Sequence, residues 1–270
     1  LEQLKKERAE LVSVTKDLES ANSDLQRKNS DLDEFCYVAS HDLQEPLRKI
    51  VTFRNLFEKK YSDVLTGDGL LYLEFMADAS NRMKNLITDL LALSRMGRSE
   101  FELEKVRVEE CVDIAIDFVQ MCIDERQAVV EKDELPIVLG DWRMLSQVFQ
   151  NLIGNALKFV PKDRTPHIRI TAERDGNFWR LGVRDNGNGI EPEYADNVFK
   201  PFKRLQTLGD GEDGTGIGLS ICRKAVNRMG GEIWAESDAG NSCHFLFKML
   251  AADETPQAAE SNEEVAHGIR

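Results

Sequence analysis

At 270 residues the chain is long enough for two ordinary domains, and 41% hydrophobic with 31% charged residues suits a folded protein with a real core. Its 35 Lys+Arg against 48 Asp+Glu give a formal charge of −13, which argues against a face built for duplex nucleic acid or an anionic membrane but leaves room for a local basic patch around phosphates. The five cysteines are scattered without a CxxC pair and no apolar run approaches the roughly 18 residues of a membrane helix, so reduced thiols in a cytoplasmic protein are expected, with no zinc site, disulfide framework, signal peptide or membrane segment.

Leucines recur every seven residues at Leu4, Leu11, Leu18, Leu25 and Leu32. With these at d, the a positions are Leu1, Arg8, Thr15, Asn22, Asn29 and Cys36. A leucine seam with polar a residues predicts a two-stranded coiled coil of modest stability over 1–32, serving as a dimerisation spacer or as a signalling helix that can change register. The chain opens in mid-repeat, so a longer protein with a sensor domain upstream is expected.

The register continues through Ala39 at d and Leu43 at a, which puts His41 at f, away from the seam. Leu47, Ile50, Phe53 and Phe57 carry the helix past Pro46 to about Tyr61, and "YSDVLTGDGL" reads as a loop. A second helix is predicted from about Leu70 to Met96, with the stripe Leu73, Met76, Ala79, Met83, Leu86, Leu90 and Leu93. Each helix of such a hairpin has an apolar stripe that two helices cannot bury alone. Residues 33–97 are therefore expected to pair with a second copy as a four-helix bundle.

After a linker over 98–104 the pattern changes. Short alternating segments, from "KVRVE" to "CHFLFKML", are interleaved with helical stretches near Glu109–Glu125, Trp142–Phe159 and Ile217–Met229. They predict a separate two-layer α/β domain over 105–250, making the chain a multi-domain protein, all-α and then α/β. The polar, acidic stretch 251–270 is expected to be disordered.

Three constellations in the α/β region carry chemistry. Asp141 stands where a helix N-cap belongs, and Asn151, Asn155 and Lys158 then fall on one helix face. Their amide oxygens can ligate Mg²⁺ and the ammonium can meet phosphate, although a solvated polar face has the same pattern. "DNGNGI", Asp185–Ile190, closes a predicted strand; it is either a turn or a place where Asp185 accepts an exocyclic amine while Gly187 and Gly189 let backbone approach a flat ring. Gly214, Thr215, Gly216, Ile217, Gly218 and Leu219 open a helix after a glycine-rich run, and a helix start of that kind suits phosphate. Neither a Rossmann fingerprint nor a Walker GxxxxGK[ST] motif is present.

The order N-x-x-x-N-A-x-K-F, D-N-G-x-G-I, F-x-P-F-x-R, G-T-G-I-G-L-S, preceded by "VASHDLQEPLRKI", resembles the bacterial sensor histidine kinases, with wording near the cyanobacterial phytochrome-type group. The likeness covers nearly all of residues 1–250. It implies a dimeric phosphoacceptor hairpin and a Bergerat-type ATP-binding fold of the kind also found in DNA gyrase. By that resemblance His41 is the phosphorylated residue and Asp42 its orienting neighbour. Asn151 and Asn155 belong to the asparagine box, Asn155 ligating Mg²⁺. Lys158 contacts phosphate, and Phe159 lines the nucleotide cleft. Asp185 holds the adenine amine beside Gly187, Gly189 and Ile190. Phe199, Phe202 and Arg204 match the phenylalanine box, Arg204 reaching the γ-phosphate, and Gly214–Leu219 match the last glycine box. ATP and Mg²⁺ are the implied cofactors, and the aspartate of a separate response regulator the implied acceptor.

An imidazole attacks phosphorus only when neutral, so a carboxylate holding one ring N–H frees the other nitrogen. Pro46 cannot donate to the carbonyl of Asp42, so a loosened helix is expected beside the acceptor. Many relatives carry Thr or Asn four residues after the histidine; Glu45 stands here, with no hydroxyl or amide donor to align water, so weak phosphatase action is expected. Two other readings stay open: an ATPase of the same fold driving conformational change, against which stands Asn151 where those relatives have a general-base Glu, and a non-enzymatic dimeric scaffold.

Overall fold

The leucine repeat and the residues after it lie on one unbroken helix, α1 (Glu2–Tyr61), about 90 Å long at 1.5 Å per residue, with Pro46 inside it. The computed structural model describes residues 2–61, 64–98, 102–203, 214–238 and 240–252. They fall into two units, one of Leu1–Phe101 with Asp196–Lys224 and one of Glu102–Ala195 with Ala225–Arg270.

In the first unit α1 turns back into α2 (Asp68–Arg98). The amides of Val64 and Leu65 both return to the carbonyl of Tyr61 at 3.0 Å, and Gly67 takes a left-handed φ of 56°. The two helices meet along a narrow line. Ser40 and Leu47 of α1 are buried, as are Leu73, Ser80, Ile87, Leu91 and Ser94 of α2, and Leu47 packs with Ile87, Leu91 and Val51. Residues 73, 80, 87 and 94 are seven apart, the spacing that keeps one side of a helix on its neighbour.

That line differs from the stripe predicted for α2. Met76, Met83 and Leu86 are exposed, and Leu73 is the one buried residue of the predicted set. The reason is geometric: a stripe with spacings of three and four is wider than the contact line between two helices. On α1 the buried Ser40 and Leu47 occupy e, while Leu43, Ile50 and Phe57 at a and Phe53 at d stay exposed, as does Leu18 in the upstream repeat. The side chains of Leu4, Leu11, Leu25 and Leu32 lie outside the described residues.

The second unit has the two-layer α/β architecture expected for 105–250, but residues 196–224 of that range group with the first unit. A small antiparallel pair joins β1 (Glu104–Arg107) to β3 (Ile137–Gly140). A five-stranded sheet has the order β2-β4-β5-β7-β6, formed by β2 (Val129–Lys132), β4 (His167–Asp175), β5 (Phe178–Asp185), β6 (Glu232–Asp238) and β7 (Ser242–Leu250). Among the described strands only β2 and β4 pair in parallel. One sheet face carries buried Ile168, Ile170, Leu181, Val183, Phe245, Phe247 and Met249. Helix α4 (Trp142–Phe159) packs there, with Phe149 edge-on to Phe247 at 5.5 Å, and α3 (Val108–Arg126) packs on α4. α5 (Gly218–Arg228) starts in the first unit and finishes in the second.

The predicted tail starts two residues too early. Ala251 and Ala252 are buried, and their amides donate to the carbonyls of Asn177 and Ile137 at 2.9 and 3.3 Å. Small residues satisfy edge hydrogen bonds as well as large ones, so low hydrophobic content concealed them. The rest of that segment, 253–270, lies outside the described residues. Cys111, Cys222 and Cys243 are buried free thiols and Cys122 is an exposed one.

Candidate functional site

The phosphoacceptor candidate sits on α1 with its side chain 74% exposed. Its Nδ1 lies 3.2 Å from Oδ1 of Asp42, so adjacent residues reach a shared rotamer pair that brings ring and carboxylate together. In the tautomer whose Nδ1–H donates to Asp42, Nε2 presents its lone pair to solvent. The neighbouring Ser40 is fully buried and faces inward. One turn on, Glu45 pairs with Lys49 at 2.8 Å. The carbonyl of Asp42 has no i+4 amide to receive, because Pro46 stands at that position.

The second unit holds the asparagine and aspartate motifs. Asp141 caps α4, accepting from the amides of Arg143 and Met144 at 2.9 and 3.0 Å. The buried side of α4 holds Leu145, Val148, Phe149, Leu152, Ile153 and Ala156, which leaves Asn151, Asn155 and Lys158 half-buried on another side. The Lys158 ammonium lies 5.0 Å from the Phe159 ring centre.

Asp185 ends β5 with 7% exposure and accepts the Gly187 amide at 2.8 Å. Burial pushes its carboxyl from an ordinary 3.8 up to about 6, while hydrogen bonds from the Gly187 and Cys243 backbone pull the other way. Opposite it on β7, the Cys243 thiol is pushed up to about 12 by burial first and by the Asp185 charge second. A Cβ on Gly187 would lie 2.8 Å from both Asp185 Oδ1 and the Phe159 carbonyl, so only glycine fits. The Asn188 amide donates to that same carbonyl at 3.2 Å, tying the loop to the end of α4. Gly189 has φ 66°, and buried Ile190 donates its amide to Ser237 Oγ at 2.6 Å.

The phenylalanine and glycine boxes lie in the first unit. Phe199 is buried under the Arg223 guanidinium, 4.4 Å from its ring centre. Phe202 is 62% exposed with φ 61°, an uncommon conformation for a bulky residue, and its amide donates to the Gly216 carbonyl at 2.9 Å. Gly216 has φ 71°, and a Cβ there would press on the Phe202 backbone at 3.3 Å, so the two boxes interlock. The Thr215 hydroxyl accepts from the Ile217 amide at 3.2 Å and donates to Asp89 Oδ2 at 2.6 Å. Ile217 is buried, and Gly218 and Leu219 begin α5. Arg204 lies outside the described residues.

Several supporting residues carry no sequence signal. Arg164 donates to the carbonyls of Asn186 and Gly187 at 2.5 and 3.5 Å, holding the loop after Asp185 from outside. Ser237, Arg223 and Asp89 act across long stretches of chain and belong to no motif.

Residues 31–99 match the His Kinase A (phospho-acceptor) domain, and residues 140–253 match the Histidine kinase-, DNA gyrase B-, and HSP90-like ATPase family. The chain thus combines the phospho-acceptor and ATPase domains of histidine kinases. It is 40% identical over 216 residues to Cyanobacterial phytochrome A of Nostoc sp., covering 80% of this chain and 28% of that protein. It is 38% identical over 218 residues to Phytochrome-like protein Cph1 of Synechocystis sp., covering 81% and 29%. The chain thus spans less than a third of these relatives. Among solved structures, full-length ShkA in complex with AMPPNP matches with a TM-score of 0.62 and 26% identity, over 81% of this chain and 46% of that one. No helix among the described residues is long and apolar enough to cross a membrane.

Proposed function

We propose that this chain binds ATP, transfers the γ-phosphoryl group to His41 and passes it on to an aspartate of a response regulator, working as a homodimer. The observation that carries this reading is the exposed imidazole whose Nδ1 meets Asp42 at 3.2 Å, on a chain that also matches the ATPase family over 140–253. Asp42 keeps the proton on Nδ1, leaves Nε2 free to attack, and stabilises the imidazolium character that develops there. Exposure of His41 suits a group that must meet both a nucleotide and a partner protein. The two exposed stripes, Leu43, Ile50, Phe53 and Phe57 on α1 and Met76, Met83 and Leu86 on α2, support closure of a four-helix bundle with a second copy.

In this reading Asp185 accepts the adenine amine beside Gly187, Gly189 and Ile190, with Phe159 as an apolar wall. Lys158 and Arg204 meet phosphate oxygens, and Phe202 and Gly214–Leu219 shape and supply the phosphate contacts. Asn155, with a carboxamide oxygen on the half-exposed side of α4 and Asn151 one turn before it, fits a hard cation shared with phosphates. When bound, Mg²⁺ neutralises phosphate charge; the chain's own part is positioning and donation of hydrogen bonds.

The test is incubation with γ-labelled ATP and Mg²⁺. Acid-labile, alkali-stable label on the protein is expected; free phosphate released with no label on the chain would favour the ATPase reading instead. Two further outcomes bear on α1. Purified chain is expected to dephosphorylate a phosphorylated regulator slowly, because the Glu45 carboxylate offers no donor and is paired with Lys49. Rapid dephosphorylation that is lost in Glu45→Ala would contradict this. Pro46→Ala restores the amide that Asp42 lacks, and is expected to raise thermal stability and slow labelling of His41. An unchanged labelling rate would refute a role for the loosened turn.

A further inference from the structure

Within the first unit, one turn of α2 holds the glycine segment at one point and the helix α5 that follows it at another. The Thr215 hydroxyl donates to Asp89 Oδ2 at 2.6 Å, and the Lys224 ammonium donates to the Leu93 carbonyl at 2.8 Å. Asp89 and Leu93 are four residues apart, so both points lie on one face of α2. Through the same oxygen Thr215 accepts the Ile217 amide, which couples the turn opening α5 to Asp89. An aspartate is out of place at a half-buried position on α2 unless its charge serves a purpose, since desolvation penalises it. Burial does push its carboxyl above the ordinary range, with the Thr215 bond partly offsetting this. The N-terminus of α5 attracts anions, and Asp89 sets a negative charge one hydroxyl away from it.

We propose that Asp89 is a gating residue: its carboxylate holds Thr215 and opposes a nucleotide phosphate at the start of α5, so that the glycine segment must leave α2 before ATP binds. This rests on the reading of Gly214–Leu219 as phosphate-binding. Neither Asp89 nor Lys224 takes part in that binding; both act through Thr215 and the segment around it.

Calorimetric titration of the full chain with Mg·ATP, and separately with adenosine, tests the proposal. Asp89→Asn keeps the shape and removes the charge. It is expected to tighten Mg·ATP binding about five-fold, the effect of one unit charge a few ångströms away near water, and to leave adenosine binding unchanged. Asp89→Ser, a second neutral variant, is expected to give the same gain for Mg·ATP. Lys224→Met, which loosens the grip but keeps the negative charge, is expected to give a smaller gain. A purely structural role would move ATP and adenosine alike, so equal changes for both overturn the gate. Unchanged or weaker ATP binding in both neutral variants overturns it too, while the functional reading stands. Failure of the wild-type chain to bind Mg·ATP at all would overturn both.

Discussion

Asp185→Asn is expected to weaken ATP binding by about two orders of magnitude while making the nucleotide-free chain more stable at pH 8. The binding loss follows from replacing a buried acceptor carboxylate by an amide whose N–H₂ would face the adenine amine; hydrogen bonds to charged groups contribute about 1.5–3 kcal/mol. The stability gain follows from proton linkage. An acid whose pKa rises on folding, here from 3.8 to about 6, favours the folded state while protonated. That contribution is whole below about pH 4, fades as pH rises through 6, and is absent at pH 8. The ionised carboxylate then costs the fold about 3 kcal/mol relative to a neutral group, by the 1.36 kcal/mol per pKa unit rule. Asparagine has no charge to desolvate and its Oδ1 can still accept the Gly187 amide. Denaturant unfolding of both chains should therefore show a stability difference near zero at pH 4 that grows to a few kcal/mol at pH 8. ATP affinity of the wild type should fall as pH drops below 6, where Asp185 becomes protonated. A variant less stable than wild type at pH 8, or one that binds ATP normally, would remove Asp185 from the proposed site.

That combination of costs also explains why this residue was legible in the sequence. An aspartate closing an apolar strand ahead of two Asn-Gly pairs breaks the local pattern, and a broken pattern is visible without coordinates. Periodic features were legible for the opposite reason. The strands and helices of the second unit follow alternation and a 3.6-residue period, and the cap at Asp141 is a local backbone contact, so each lies within a few residues of its cause. The residues that sequence could not reveal act at a distance. Thr215 meets Asp89 across 126 positions, and Ile190 meets Ser237 across 47. Such pairs carry no periodicity. The α2 stripe marks an intermediate case: its apolar residues were visible, but periodicity cannot divide them between an intrachain neighbour and a second copy. Which of Leu73 and Met76 is buried depends on where α1 lies.

His41→Gln is expected to abolish acid-labile phosphorylation completely while leaving ATP affinity and thermal stability at wild-type values. The side chain is 74% exposed and meets the exposed Asp42, so its removal leaves no cavity and no buried unpaired group. Glutamine keeps length and polarity but has no nucleophilic nitrogen. Asp42→Asn separates orientation from attack. An amide oxygen can still accept the Nδ1 proton at a similar distance, so tautomer preference survives in part, but the charge that stabilises a developing imidazolium is lost. Labelling of His41 should slow by about 10- to 100-fold, at or below the lower end for general acid–base assistance because the pair is open to water. The saturating rate should carry the loss and the ATP concentration for half-saturation should not, since in the proposed reaction ATP is held by residues of the ATPase domain and not by α1. If Asp42→Asn instead raises that concentration and spares the rate, Asp42 acts in docking rather than in setting the tautomer. If His41→Gln retains label, the acceptor is another residue and the assignment of α1 as the phosphorylated helix fails.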